Sequence, residues 1–172
     1  MIVIKREFIL CILLSLILLS CEKKSDTPLQ GVVVINELMA LNTLTVADQD
    51  GEFDDWIELY NTSDETVDIS GYFLSDDDNN TTKWKIPAGT TIKGKGYIII
   101  WADSDLKQAG LHADFKLSAD GEEVILSLPD ATQSDRIEYP MNTLEQSYSR
   151  VPDGTGDFTW KSASFGTTNG NK

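Results

Sequence analysis

The chain is 172 residues long and sets 14 Lys and Arg against 28 Asp and Glu, a formal charge of −14 at pH 7. So acidic a composition lacks the basic stripe that releases counterions from a phosphate backbone, which excludes nucleic acid and favours cations or basic partners. One histidine and two cysteines likewise fall short of the usual zinc ligand set.

At the start, Lys5 and Arg6 precede an apolar run from Phe8 to Leu19, broken by Ser15 and followed at once by Glu22, Lys23, Lys24, Ser25 and Asp26. The run is shorter than the ~20 residues a spanning helix needs, so residues 1–20 read as a targeting segment. Leu18, Leu19, Ser20 and Cys21 resemble the lipobox of bacterial lipoproteins. That resemblance implies cleavage before Cys21 and acylation of its thiol and freed amino group, palmitate being one such acyl chain. The competing reading is an ordinary secreted protein. Cysteine usage argues against it: Cys11 lies in the discarded segment and no cysteine follows Cys21, so an exported domain forgoes disulfides and keeps one thiol at its first position. At roughly 0.8 kcal/mol per buried methylene, several acyl chains anchor durably where one is marginal. The expected location is the cell envelope, lipid-anchored, at the outer membrane and open to surface display.

Cys21 with a polar linker occupies residues 21–30, and a globular stretch follows over 31–169 with a tail at 170–172. About 150 residues suffice for one domain that buries roughly two thirds of its unfolded surface without disulfides. Apolar runs are short and β-rich: Val32 to Ile35, Trp56 to Tyr60, Tyr72 to Leu74, Tyr97 to Trp101, Val124 to Leu128, and Arg136 to Tyr139. Turn-formers separate them, among them Asn61 to Asp64, Pro87 to Gly89, Gly94 to Gly96, and Asp120 with Gly121. From Trp56 to Tyr60 the residues alternate, which predicts Ile57 and Leu59 on one face and Trp56, Glu58 and Tyr60 on the other, with one face inward. Tyr97 to Trp101 is apolar on both faces, as in a central strand. The pattern predicts an all-β antiparallel sandwich.

The segments INELMALN (Ile35 to Asn42), DWIELYN (Asp55 to Asn61), VDISGYFLSDD (Val67 to Asp77), WKIPAGTTI (Trp84 to Ile92), GYIIIWAD (Gly96 to Asp103) and FKLSADGEEVIL (Phe115 to Leu126) occur in the order and spacing of the lamin tail domain. With SYSRVPDG (Ser147 to Gly154) and FGTTN (Phe165 to Asn169) the resemblance runs from about Val32 to Asn169. It implies an immunoglobulin-like β-sandwich, used in nuclear lamins and in secreted or surface bacterial proteins as a binding module without catalytic residues. FGTTN departs from the family's usual Thr-Pro-Gly-x-x-Asn ending, which concerns the last turn alone.

The residues agree with a non-enzyme. His112, the only histidine, sits in Gly-Leu-His-Ala with no nucleophile elbow nearby. The alternative is an envelope carbohydrate-active hydrolase using an acidic pair, which so acidic a chain permits without supporting. Two acidic loops stand out: Asp48, Asp50, Glu52, Asp54 and Asp55 around Gly51, and Asp76 to Asn80. Crowded oxygens of this kind suit Ca²⁺, which takes 6 to 8 at ~2.3 to 2.6 Å, although solvated turns explain the same residues. Trp84 and Trp160 are expected in the core rather than as a sugar platform. The expected function is a lipid-tethered binding or scaffold module that recognises protein or polysaccharide.

Overall fold

The computed structural model describes residues 31–170. The targeting segment, Cys21 and the linker lie outside these residues. Twelve strands follow in order: β1 Val33–Met39, β2 Trp56–Asn61, β3 Val67–Asp68, β4 Phe73–Ser75, β5 Trp84–Lys85, β6 Thr91–Ile92, β7 Tyr97–Ala102, β8 His112–Ala113, β9 Gly121–Ser127, β10 Gln133–Pro140, β11 Ser147–Val151 and β12 Asp157–Lys161. They form a six-stranded sheet, β12-β11-β1-β2-β7-β8, a four-stranded sheet, β10-β9-β4-β5, and a β3-β6 ladder. The two larger sheets enclose a core built on Ile35, Leu38, Ile57, Leu59, Leu74, Ile100, Val124 and Leu126. Among the described residues this is the immunoglobulin-like all-β sandwich that the sequence predicts, antiparallel throughout except for the short β7–β8 pairing.

The six predicted runs lie within or overlap β1, β2, β4, β7, β9 and β10. Two long strands, β11 and β12, were not among them. The reason is visible in β11, where the alternately buried residues Ser147 and Ser149 are small hydroxyls rather than aliphatics, so the buried face carries no apolar period.

One expectation needs correction. Alternation predicts one inward face on this strand, but both faces are covered: Trp56 and Glu58 are fully buried, as are Ile57 and Leu59. The outer face of the six-stranded sheet is covered by the C-terminal segment after β12. Phe165 inserts between Trp56 and Trp101, with ring centroids 5.1 and 5.6 Å away, closing a second apolar cluster with Met39. Alternation marked which residues share a face but not whether a later segment covers that face.

A bulge in β1 prepares this layer. The β1–β2 register shifts between Ile35 and Glu37, leaving Asn36 as the extra residue. Asn36 donates to Glu58 Oε1 at 3.0 Å and to Asp153 Oδ1 at 2.9 Å, and accepts the Gly154 N–H. Asn169, the last residue of FGTTN, reaches back to the carbonyls of Asn36 and Arg150. The last turn is therefore built into the fold despite its atypical sequence.

Candidate functional site

Strand direction gathers the long loops at one end of the sandwich. β1 runs from the Gly31 end to Met39, β2 and β11 run back antiparallel to it, and β7 runs antiparallel to β2. Loops 40–55, 103–111 and 141–146 therefore share the end remote from Gly31. Loops at the end of a rigid sandwich are where such folds bind.

Asn42 organises the first loop, donating to the carbonyls of Val46 (2.6 Å) and Asp54 (2.7 Å) and accepting the N–H groups of Thr45 and Val46. Asp48 Oδ1 accepts the N–H groups of Asp50 and Glu52 at 2.9 and 2.8 Å, and Gly51 makes the turn at φ 85°. These bonds aim Asp48, Glu52 and Asp54 together, with one carboxylate oxygen from each lying within 4.8 Å of the others. Asp48 Oδ2 and Asp54 Oδ2 are shielded and have no hydrogen-bond partner. Burial, then the charges of Asp103, Asp48 and Glu52, push the Asp54 carboxyl up. Such an arrangement can hold a divalent cation.

The other two residues expected there stand apart. Asp50 is exposed and enters the loop's bonding through its backbone. Asp55 turns inward to accept the Asn42 N–H at 3.2 Å, and burial raises its carboxyl to about 6. The second acidic loop is a turn: Asp77 accepts the Asn79 N–H, and Asp76 pairs with Lys83 at 2.6 Å.

His112 is buried on β8, its Nδ1 2.6 Å from Asp103 Oδ2 and its Nε2 3.1 Å from the Ala109 carbonyl. Burial opposes the charged ring, but the Asp103 hydrogen bond and charge outweigh it and leave the pKa raised. With both nitrogens engaged, the ring braces loop 103–111 and presents no free base to a nucleophile.

An open depression of about 410 Å³ lies beside this end, lined by Asp76, Glu122, Glu123, Arg136, Glu138 and Tyr139 among others. Four of its carboxylates are engaged, while the exposed Asp120 bonds through its backbone N–H alone. Glu122 accepts from Ser118 N–H (2.7 Å) and Tyr139 OH (2.8 Å), and Arg136 bridges Glu123 and Glu138. Trp84 is buried in the core, and the half-buried Trp160 packs on Tyr148 at 4.8 Å.

Sequence reasoning missed the buried polar layer under the C-terminal segment, where Glu37 accepts Ser164 N–H and Glu58 accepts Gly166 N–H. Their place inside INELMALN and DWIELYN, among apolar neighbours, was the available signal. Comparison with curated proteins finds none that matches. A family model, that of the lamin tail domain, matches residues 27–140, more than half of the chain; β11 and β12 extend the sheet beyond that match.

Proposed function

The chain belongs to the lamin tail domain family, and from that premise we propose that it is a lipid-anchored, non-catalytic binding module of the cell envelope, tethered through Cys21 and recognising protein or polysaccharide. The observation that carries this reading is the commitment of its polar groups to the fold. His112 is locked by Asp103 and Ala109, Glu37 and Glu58 hold the C-terminal segment, and four carboxylates of the acidic depression, those of Asp76, Glu122, Glu123 and Glu138, each have a partner. Catalysis needs a group free to move a proton at the reacting atom, whereas a binding module needs a rigid frame and exposed loops. The lipobox resemblance at Leu18 to Cys21 and the absence of cysteine after it support the anchor.

Metabolic labelling with a palmitate analogue tests the tether. The full chain labels and sediments with membranes, while Cys21→Ser abolishes both; a labelled or membrane-bound Cys21→Ser chain contradicts the tether. A divalent cation at Asp48, Glu52 and Asp54 is a further part of the proposal, supported by their convergent oxygens. Its role is to stiffen the loop beside the binding surface.

A further inference from the structure

We propose that the end of the sandwich remote from Gly31 docks a protein whose contact surface combines apolar side chains with a rim of Lys or Arg. The inference rests on the binding-module reading and names its surface and the chemistry of its partner. Of the six large apolar side chains exposed among the described residues, five (Leu44, Phe53, Leu106, Met141 and Leu144) lie on the three loops at this end, and Val32 lies at the other. Leu44 and Leu144 are 78% and 59% exposed. Single exposed aliphatics are ordinary, but their concentration on adjoining loops marks an interaction surface.

The loops are fastened to one another. Glu145 accepts from Thr43 N–H and from the hydroxyls of Thr43 and Thr45, which sets Leu44 and Leu144 next to a shared anchor. On the other flank Gln108 donates to Glu52 at 2.6 Å and Gln49 to the Ala109 carbonyl, tying the Phe53 loop to the Leu106 loop. A surface held in place before binding loses less conformational freedom when a partner arrives.

Charge selects the occupant. Loops 40–55, 103–111 and 141–146 carry eight acidic side chains, of which Asp55 turns inward and Asp103 is buried against His112, and one basic one, Lys107; Lys116 acts on Asp54 and Asp55 from the adjoining segment, which leaves the end acidic. A second copy of the chain docking through this end would set acid against acid, and an anionic lipid surface would be repelled likewise. Apolar contacts ringed by carboxylates fit a partner with an apolar centre and a cationic rim.

The test places a photo-cross-linking amino acid in the full chain, in its native envelope, at Leu44, Phe53 or Leu144, with Val32 and Lys93 as controls at the Gly31 end. The expected result is one discrete protein adduct from the three loop positions and none from the controls. Its yield falls roughly tenfold in Leu44→Glu/Leu144→Glu, as for loss of a binding hot spot, and falls severalfold as salt rises from about 0.1 to 1 M. An adduct of two copies, an adduct with lipid, or a salt-insensitive one overturns the inference. Adducts from the control positions alone, or from no position, overturn it while leaving the binding-module reading standing, because a glycan ligand or another surface still satisfies that reading.

Discussion

Glu37 on β1 and Glu58 on β2 face each other as a register pair, both wholly buried, and each accepts a backbone N–H from the C-terminal segment: Ser164 at 2.8 Å and Gly166 at 2.7 Å. Two carboxylates side by side under a polypeptide cover are costly to ionise together. Burial raises both, and Glu58 rises from 4.5 to about 7 against the opposing bonds from Asn36 and Gly166.

The domain is therefore most stable at mildly acid pH. Between about pH 4.5 and 7 the folded chain keeps a proton on Glu58 that the unfolded chain has released, so rising pH costs stability until both forms are ionised. Asp55, raised to about 6, has the same sign, and the raised His112 loses its contribution as pH climbs past its ordinary 6.5. At about 1.36 kcal/mol per unit the Glu58 contribution is on the order of 3 kcal/mol. Urea unfolding from pH 5 to 8 should show a decline in the native chain that flattens in Glu58→Gln; parallel profiles would contradict the assignment.

Phe165→Ala should loosen the C-terminal cover. The ring fills the gap between Trp56 and Trp101, and its loss costs about 2 kcal/mol of apolar burial. Tryptophan emission reports the same event independently, because Trp56 and Trp101 are 0% and 6% exposed in the intact fold. A red shift with lowered unfolding free energy is expected; unchanged emission would mean that the segment does not shield them.

Asn61 closes β2 by donating to the carbonyls of Glu65, Ile92 and Lys93 while accepting the Ser63 N–H. Asn61→Ala leaves these groups without their partner in a buried setting and should cost about 2 to 3 kcal/mol. Chemical denaturation measures it, and a loss under ~0.5 kcal/mol would show that water replaces the side chain.

Calcium should raise the melting temperature. At a concentration tenfold above Kd a single site contributes about 1.4 kcal/mol, worth roughly 5 °C in a domain of this size. The shift should vanish in Asp48→Asn, which weakens the Asp48, Glu52 and Asp54 cluster. Equal melting temperatures in millimolar calcium and in chelator would remove the cation from the account.

The core was legible because its chemistry is local. Ile57, Leu59 and Ile100 announce strands through β-branched runs and turn punctuation, and Asn61 with Ser63 announces its turn through a side chain that bonds its own backbone. The outer layer was not legible, because it depends on contacts more than 100 residues apart in sequence, such as Ser164 with Glu37. A polar residue amid aliphatics, as Glu37 is in β1, reads as solvent-facing until the segment that covers it is known. The acidic loop was half legible: composition drew attention to all five carboxylates, but only backbone geometry separates Asp48, Glu52 and Asp54 from the outward Asp50 and the inward Asp55.

The most direct test of the central claim is capture by the full chain from native envelopes, read by mass spectrometry, with a glycan array and a glycan-hydrolysis assay on the same preparation. The account predicts a reproducible, saturable protein or glycan ligand, lost in Leu44→Glu/Leu144→Glu, and no turnover. Hydrolysis of an envelope glycan that disappears in Glu122→Gln, with no ligand retained, would contradict it and make the acidic depression an active site.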